Sequence, residues 1–317
     1  MPALAAEMAA LEEVLKDEFS LTNVFLRSAA DRLFESGGKR LRPALLIASS
    51  MTGEYDREKT LPVAAAIEIL HTATLVHDDV IDLADTRRGV ATLAALHGNH
   101  VAILTGDYLL SKTLVMLAKS NLPDKHKLEA AYAVESMCKG EVAQYIDKGV
   151  IPSPRAYIKR IIQKTGILFS AACSMGAFLG GHDEADVRKF GRFGLRLGTA
   201  FQIRDDLMDL SSGAKAAGKP VGHDLKNGII TLPVLLAARD DSFKSRLVKY
   251  LASSRSSQNT RKLIDAAVSS GGYAEARNIL DGHIQKCRLM LEHFGDSAGR
   301  PVLAGIIDMI ARQPEEG

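Results

Sequence analysis

The segment 61–82 constrains the fold more than any other part of the chain, because its apolar residues cover nearly every face of a helix. Its large apolar residues include Ile67, Ile69, Leu70, Leu75 and Val76. A helix of this kind belongs at the centre of a large bundle, where other helices cover it on most sides. The segment therefore predicts a large helical protein.

The rest of the chain continues the helical pattern. Ala and Leu, which favour helices, dominate between the prolines, and alternating runs of β-branched residues are scarce. No linker-like change of composition and no fixed repeat divides the sequence, so we predict an all-α fold in a single domain over 1–317. The predicted helices are 4–34, 43–51, 61–82, 91–118, 125–148, 154–181, 184–210, 230–238, 242–252, 257–270, 272–293 and 300–312.

Composition excludes several classes of protein. With 46% apolar residues, 25% charged residues and a formal net charge of +2, the chain is neither disordered nor a strongly basic nucleic-acid binder. The cysteines are few and lack metal-ligand spacing, which is typical of a reducing compartment. The N-terminus lacks the basic start of a secretory signal, and the charge-free stretch 165–181 falls short of the roughly 20 apolar residues of a membrane span. We therefore predict a cytoplasmic protein.

Three carboxylates close the apolar helix, in the sequence His77-Asp78-Asp79-Val80-Ile81-Asp82. Asp78 and Asp82 lie one turn apart on the same helix face, where like charges repel, and a helix C-terminus disfavours anions as well. A solvated acidic helix end is one interpretation of this cluster. A divalent cation is the other, since hard carboxylate oxygens suit Mg²⁺.

A second copy of this costly arrangement, Asp205-Asp206-Leu207-Met208-Asp209, follows another predicted apolar helix. Two such clusters are much harder to explain as solvated helix ends. Mg²⁺ binds in proteins through one or two carboxylates together with substrate phosphates. The pair of clusters therefore indicates a polyphosphate ligand.

Cations in the loops could complement such a ligand. The stretch Gly37-Gly38-Lys39-Arg40-Leu41-Arg42-Pro43 places three of them in a glycine-hinged loop, and Arg87-Arg88-Gly89 follows the first acidic cluster. Lys164-Thr165 and Gly218-Lys219-Pro220 add further donors. Each loop alone is more typical of a solvated turn, but beside a diphosphate Arg offers a bidentate fork and Lys a point charge. No P-loop sequence is present.

These motifs together resemble those of the trans-isoprenyl diphosphate synthases, in particular bacterial long-chain types such as octaprenyl or heptaprenyl diphosphate synthase. The motifs run in family order from Gly37 to Pro233, and they include Lys-Thr-Gly, Phe-Gln-Ile-Arg-Asp-Asp-Leu-Met-Asp and Gly-Lys-Pro-Val-Gly-His-Asp-Leu. The resemblance implies an isoprenoid-synthase fold, an all-α bundle of about ten or more helices around a central cavity. It also implies a homodimer in which the two acidic clusters of each chain face each other.

The resemblance implies roles for individual residues. A cluster of about three Mg²⁺ ions would hold the allylic diphosphate, and its ligands would be Asp78, Asp79, Asp82, Asp205, Asp206 and Asp209. The isopentenyl diphosphate site would consist of Lys39, Arg42, His71 and Arg88. The allylic side would consist of Arg87, Lys164, Thr165, Gln202 and Lys219. The residues expected to act in catalysis are Asp78, Asp79, Asp82, Arg87, Lys164, Asp205 and Lys219.

The implied reaction is a Mg²⁺-dependent head-to-tail (1′-4) condensation of isopentenyl diphosphate with an allylic diphosphate, through a carbocation. The allylic substrate would be dimethylallyl, geranyl, farnesyl or geranylgeranyl diphosphate. Ala73 and Thr74 are small where short-chain members of the family have bulky aromatics, so we predict a long-chain product of C35 to C50. Geranylgeranyl or farnesyl diphosphate is the alternative product. No nucleic-acid partner is expected, and membrane contact is expected only for product release.

Two positions depart from the family pattern. Arg204 stands where an aliphatic residue is frequent, and Ile229 stands where a phosphate-binding lysine is common, with Lys226 three residues earlier. A non-catalytic subunit of a heteromeric synthase is therefore an alternative, although such a subunit would be expected to lose one acidic cluster.

Two further alternatives are a terpene cyclase and a di-iron bundle. A terpene cyclase would not need the Lys39–Arg42 loop, because it binds no second diphosphate. Glu68-x-x-His71 matches the ligand spacing of di-iron bundles, but no second copy exists, so we interpret Glu68 as a helix-face charge or a cap for a neighbour.

Overall fold

The computed structural model describes residues 2–211 and 221–312, and almost all of their regular structure is helical. The helices are α1 (Pro2–Asp17), α2 (Val24–Glu35), α3 (Leu41–Ser50), α4 (Arg57–Ile81), α5 (Leu93–His97), α6 (Asn99–Lys119), α7 (Asp124–Ile146), α8 (Pro154–Ile161), α9 (Ile167–Leu179), α10 (Glu184–Leu210), α11 (His223–Lys226), α12 (Leu232–Ala237), α13 (Asp241–Leu251), α14 (Ser257–Ser269), α15 (Gly272–Glu292) and α16 (Gly299–Ala311). A π-helical turn, Ile162–Gly166, joins α8 to α9, and two short strands, β1 (Thr86–Arg87) and β2 (Val90–Ala91), form an antiparallel hairpin. The predicted all-α fold is confirmed.

Three of the predicted helices are not continuous α-helices, since 4–34 and 91–118 are divided and 154–181 contains the π-helical turn. The predicted helix 4–34 is interrupted between α1 and α2, because the side chain of Asn23 accepts a 2.8 Å hydrogen bond from the N–H of Leu26 and thereby starts α2. The predicted helix 91–118 is interrupted at Gly98, whose φ of +81° ends α5 before α6 begins. Each interruption thus rests on one residue of a type that ends or begins helices.

The described chain divides into two compact units. The first comprises Met1–Ala130, Ala171–Gly191 and Phe294–Leu303. Within it α4 packs against α1, α3 and α6. Backbones come very close at Gly176, where an added Cβ would lie 2.1 Å from the carbonyl oxygen of Leu46. Glycine is therefore required at that crossing.

The second unit comprises Ala131–Ser170, Arg192–His293 and Ala304–Gly317. Every residue of α12 is buried, and this short helix packs against α14 and α15. The unit is thus organised around one short apolar helix. The single domain over 1–317 stays a prediction.

Three helical segments are long and apolar enough to cross a membrane by length and composition, namely Arg57–Ile81, Asn99–Lys119 and Pro154–Leu179. The first and the third have 72% and 61% of their most apolar window buried inside the protein, as core helices do. Helix α6 has only 39% of its window buried. An apolar helix that is largely exposed indicates a surface for association.

Candidate active site

The first acidic cluster lies where α4 ends and the chain enters the hairpin. Asp79 is 5% exposed, and its Oδ1 accepts a 2.7 Å hydrogen bond from Nε of Arg87 on β1. Asp78 is half-buried and Asp82, which follows the last residue of α4, is exposed. The three carboxylates are therefore not equivalent, since Asp79 forms a buried ion pair and Asp82 faces solvent.

The hairpin turns at Arg88 and Gly89, which both have positive φ values of 52° and 78°. This type of turn matches the right-handed twist of the paired strands. An added Cβ on Gly38 would lie 2.7 Å from Nη1 of Arg88. The guanidinium of Arg88 therefore lies directly against the backbone of the glycine-hinged loop.

His71, on α4, marks the place where the arginines meet. Burial lowers the pKa of His71 well below its usual value. Nearby positive charges lower this pKa further, and they belong to Arg42, Arg88, Arg87 and Arg40. The imidazole is therefore neutral at pH 7. The structure thus brings together His71, Arg42 and Arg88, which were predicted to bind one diphosphate.

Arg40 differs from the two cations beside it in the loop. Lys39 is exposed and Arg42 is half-buried, whereas the side chain of Arg40 is 11% exposed and forms ion pairs with Glu12 and Glu68. Glu68 thus pairs with a neighbouring side chain, in agreement with its interpretation from the sequence. Sequence reasoning did not separate Arg40 from the other cations, because its partners lie far away along the chain.

Asp206, in the second acidic cluster, connects several elements of the second unit. It is 3% exposed, and its Oδ2 accepts hydrogen bonds from the Tyr157 hydroxyl at 2.6 Å and from the Leu232 N–H at 3.1 Å. Its Oδ1 accepts from Nε2 of Gln202 at 3.1 Å, and Gln202 in turn accepts from the Thr165 hydroxyl at 2.8 Å. Burial raises the pKa of Asp206 to about 6 in spite of these donors. Sequence reasoning missed Tyr157, although a buried tyrosine hydroxyl usually needs a partner.

Asp209 binds the start of α11. Its carboxylate oxygens accept hydrogen bonds from the N–H groups of His223 and Asp224, at 3.0 and 3.3 Å. Its carbonyl oxygen accepts a third, from the N–H of Gly222 at 2.7 Å. Burial raises the pKa of Asp209, and the negative charge of Asp224 raises it further. Asp209 therefore attaches the segment beginning at residue 221 to the end of α10.

The π-helical turn carries Lys164 and Thr165, two of the residues predicted on the allylic side. Nζ of Lys164 lies 2.6 Å from Oε1 of Glu141, and Thr165 bonds Gln202. A π-helical turn inserts one extra residue into a helix and is frequent at functional sites. The sequence did not indicate this turn, because a single glycine, here Gly166, is tolerated within an ordinary helix as well.

Each compact unit holds part of the predicted site. The residues in the first unit are Lys39, Arg42, His71, Asp78, Asp79, Asp82, Arg87 and Arg88. The residues in the second unit are Lys164, Thr165, Gln202, Asp205, Asp206 and Asp209. Lys219 lies outside the described residues.

Arg204 and Ile229, the two positions that depart from the family pattern, differ in their burial and hydrogen bonding. Arg204 is 9% exposed, and its Nε has no hydrogen-bond partner within the described part of the chain. Ile229 is half-buried, and its N–H donates to the carbonyl oxygen of Asp224 at 2.9 Å. Lys226 is exposed on α11. The hydrogen bond of Ile229 joins backbone groups only, so it does not depend on which side chain stands at this position.

The aspartates offer the hard oxygen ligands that suit Mg²⁺. Over residues 2–211 and 221–312, however, no group of three or more His, Cys, Asp and Glu side chains is arranged to hold a metal ion by itself. Protein donors bind the carboxylates of Asp79, Asp206 and Asp209. This arrangement fits ions that take one or two carboxylates each and complete their shell with phosphate and water oxygens.

Comparison with known proteins decides the family. Residues 23–269 match the model of the polyprenyl synthetase family. The chain belongs to this family. It is therefore a prenyltransferase related to the trans-isoprenyl diphosphate synthases, and its fold is the all-α isoprenoid-synthase fold.

Relatives with long-chain names cover almost the whole chain. Heptaprenyl diphosphate synthase component 2 of Bacillus subtilis (strain 168) is 35% identical over 304 residues, which are 96% of this chain and 86% of the relative. Nonaprenyl diphosphate synthase of Mycobacterium tuberculosis is 32% identical over 312 residues, which are 96% of this chain and 92% of the relative. The crystal structure of heptaprenyl diphosphate synthase from Staphylococcus aureus aligns with a TM-score of 0.91 at 33% identity, covering 97% of this chain and 98% of that one. The polyprenyl synthetase resemblance thus extends well beyond the motifs.

Asp206→Asn tests whether the buried carboxylate titrates as its surroundings indicate. An aspartate in an unfolded chain titrates near pH 4, whereas Asp206 has a pKa of about 6 in the folded protein. The folded state therefore binds the proton of Asp206 more tightly than the unfolded state does. The free energy of unfolding that this protonation contributes is lost as the pH rises from about 4 to about 6. We expect the variant, which cannot ionise, to lose this part of the pH dependence of the free energy of unfolding, measured by urea denaturation.

The same variant should fold, because the amide of Gln202 and the hydroxyl of Thr165 can both reverse and keep the hydrogen bonds of the chain. Asp241→Asn, at the exposed start of α13, serves as the control and should keep the wild-type pH dependence. If Asp206→Asn keeps the wild-type pH dependence of the free energy of unfolding, the raised pKa of Asp206 is contradicted.

Proposed function

We propose that the chain is a Mg²⁺-dependent, long-chain trans-polyprenyl diphosphate synthase that works in the cytoplasm as a homodimer. The observation that carries this proposal is that Arg42, Arg87 and Arg88 lie close enough to the buried His71 for their charges to lower its pKa, on the helix that ends in the first acidic cluster. Enzymes of this family use isopentenyl diphosphate and an allylic diphosphate, and they generally depend on Mg²⁺. The cations suit the diphosphates of the substrates, and the carboxylates suit Mg²⁺.

The cations of the first unit suit the diphosphate of isopentenyl diphosphate. Arg42 and Arg88 can each bind two phosphate oxygens with a planar fork, and Lys39 adds an exposed point charge. The neutral imidazole of His71 offers one N–H donor, and a bound anion would raise the pKa of His71 and favour a second. We propose that these four residues bind the isopentenyl diphosphate.

Five of the six aspartates divide into two groups in this proposal, whereas Asp209 attaches the segment beginning at residue 221. Mg²⁺ bound at the half-buried or exposed carboxylates of Asp78, Asp82 and Asp205 would stabilise the charge on the leaving diphosphate as a Lewis acid. The buried carboxylates instead orient protein donors. Asp79 holds Arg87, and Asp206 holds Gln202. We therefore propose that the second group acts through the residues that it positions.

The chemistry begins at the allylic substrate. Its C–O bond breaks, the electron pair leaves with the diphosphate, and the double bond of isopentenyl diphosphate attacks the resulting carbocation. Loss of a proton to the released pyrophosphate then restores a double bond in the extended chain. Arg87 and Lys164 would stabilise the charge that develops on the leaving group. Apolar helices would exclude water, which would otherwise quench the cation.

Small residues before the first acidic cluster support a long product. Ala73 is 2% exposed, and Thr74 is half-buried with its hydroxyl bonded to the carbonyl oxygen of His71 at 2.8 Å. Neither side chain is large enough to block a growing chain. Relatives named heptaprenyl and nonaprenyl diphosphate synthase agree with a long product. Geranylgeranyl diphosphate synthase of Sulfolobus acidocaldarius is 36% identical over 244 residues, and it supports geranylgeranyl diphosphate as the alternative, shorter product.

An apolar stripe on α6 supports association with a second copy. Its members are two pairs about three turns apart on one helix face, Ile103 with Leu104 and Leu114 with Val115, and they are 41–67% exposed. The exposed Asp107 and Ser111 lie between the pairs. Exposed apolar residues on one helix face are typical of subunit interfaces. The name of the Bacillus relative, component 2, indicates that this relative has a partner component, so a heteromeric synthase is the second candidate.

Incubation with Mg²⁺, isopentenyl diphosphate and farnesyl diphosphate, followed by chromatography of the dephosphorylated products, tests the proposed function. We expect chain extension that EDTA abolishes. Asp78→Ala should slow the reaction by about two orders of magnitude or more, because it removes stabilisation of the leaving diphosphate. Asp265→Ala, at an exposed position on α14, should retain the wild-type rate. Absence of extension with every allylic primer would reject the proposal.

A bulky residue at position 74 should shorten the product. Thr74→Phe adds a ring where the wild-type side chain is half-buried, and Ala73→Phe is the companion variant. We expect both to shift the products by several five-carbon units, measured by chromatography of radiolabelled chains. Thr74→Val, which keeps the volume of the wild-type side chain, should make wild-type products. Unchanged product lengths in both phenylalanine variants would contradict the role of these positions.

Light scattering after size-exclusion chromatography tests the α6 stripe. Leu104→Glu places a charge on its most exposed member and should convert a dimer into a monomer. Val248→Glu, at a 52% exposed position on α13, is the matched control and should stay dimeric. A wild-type chain that is monomeric and inactive alone would favour the heteromeric alternative.

A further inference from the structure

Arg40 adopts a backbone conformation that is rare for its residue type. Its φ and ψ are 44° and 38°, in the left-handed region, at the position immediately before α3. A side chain with a Cβ is unfavourable there, and such residues persist where the surroundings hold them in place. The carbonyl oxygen of Arg40 accepts a 3.0 Å hydrogen bond from the N–H of Ala44. The strained residue thus starts the helix that carries Arg42, and it directly follows Lys39.

All three nitrogens of the Arg40 guanidinium donate hydrogen bonds within the protein. Nε donates to Oε1 of Glu12 at 2.9 Å, and Nη1 donates to Oε1 of Glu68 at 2.8 Å. Nη2 donates to the carbonyl oxygen of Phe34 at 2.8 Å, and the ring of Phe34 lies 5.6 Å below the guanidinium carbon. One side chain therefore connects α1, α2 and α4 to the start of α3. A group engaged in this way is not available to bind a phosphate.

The ion pair between Arg40 and Glu68 joins the two parts of the isopentenyl diphosphate site. Glu68 has a side chain that is 6% exposed and lies one turn before His71 on the same face of α4. We propose that Arg40 is a positioning residue that, through its ion pair with Glu68, holds residues 37–40 and the start of α3 against α4 where isopentenyl diphosphate binds. This inference rests on the proposed function of that site.

Glu68 also offsets the repulsion among the arginines. Burial and the charge of Arg87 lower the pKa of Arg88, whereas the carboxylate of Glu68 raises it. The same carboxylate thus acts on Arg40 by contact and on Arg88 by charge. Both arginines stay close to His71 because a buried anion lies beside them.

Steady-state kinetics of Arg40→Gln, Glu68→Gln and the double variant test the inference. We expect each single variant to raise the KM for isopentenyl diphosphate about tenfold, while the KM for the allylic diphosphate changes less than about twofold. The double variant should be no worse than Arg40→Gln alone, because Arg40→Gln already removes the ion pair with Glu68. Arg40→Lys, which keeps the charge but not the three-way bonding, should give an intermediate KM.

Arg57→Gln is the matched control, since Arg57 forms an ion pair with the buried Glu7 in the same unit, away from the proposed diphosphate residues. It should lower the melting temperature and leave both KM values unchanged. If Arg40→Gln behaves in the same way, Arg40 is merely structural and the inference is overturned. If Arg40→Gln raises the KM but Glu68→Gln leaves or lowers it, Arg40 binds the phosphate directly and the inference is also overturned.

Two further results separate this inference from the proposed function. A wild-type chain that extends no allylic primer would reject the function itself. An active wild type with unshifted KM values in the variants would reject only the role of Arg40. If Arg40→Gln does not fold, Glu68→Gln and Arg40→Lys test the role of Arg40. A raised KM for isopentenyl diphosphate with an unchanged KM for the allylic diphosphate supports this role, and two unchanged KM values reject it.

Discussion

Helix α4 brings like charges close together, carboxylates at its end and arginines near His71. The structure around this helix depends on how the repulsion within each group is offset. Three carboxylates end the helix, and four arginines approach its His71. A buried charge without a partner costs several kcal/mol. The protein meets this cost with specific pairs, Asp79 with Arg87 and Glu68 with Arg40, and with a histidine that carries no charge. The site is charge-balanced before any substrate is considered.

The aspartates show why a motif is not a set of equal ligands. Each cluster contains at least one carboxylate that is buried and bonded to protein donors, Asp79 in the first and Asp206 in the second. Each cluster also contains carboxylates nearer to solvent. The repeated sequence thus combines two tasks within one helical turn, since neighbouring positions on a helix face different surroundings.

Much of the fold and the positions of the acidic clusters followed from the sequence, because helical periodicity and charge spacing are local properties. The divided helices were missed, since a single cap at Asn23 or a single positive φ at Gly98 leaves little trace in an apolar pattern. The hairpin turn at Arg88 was missed for a related reason, because arginine is not a usual residue at positive φ. The role of Arg40 could not be predicted, since its partners Glu12 and Glu68 are each 28 residues away.

The π-helical turn at Ile162–Gly166 has a consequence for how this chain can vary. The extra residue of the turn sets the rotation of every side chain that follows in α9 relative to those of α8. Removing one residue there would restore an ordinary helix but rotate one part against the other by about 100°. Lys164 and Thr165 would then lose their bonds to Glu141 and Gln202. The length of this helix is therefore as restricted as the identity of its residues, and insertions or deletions should be confined to the loops.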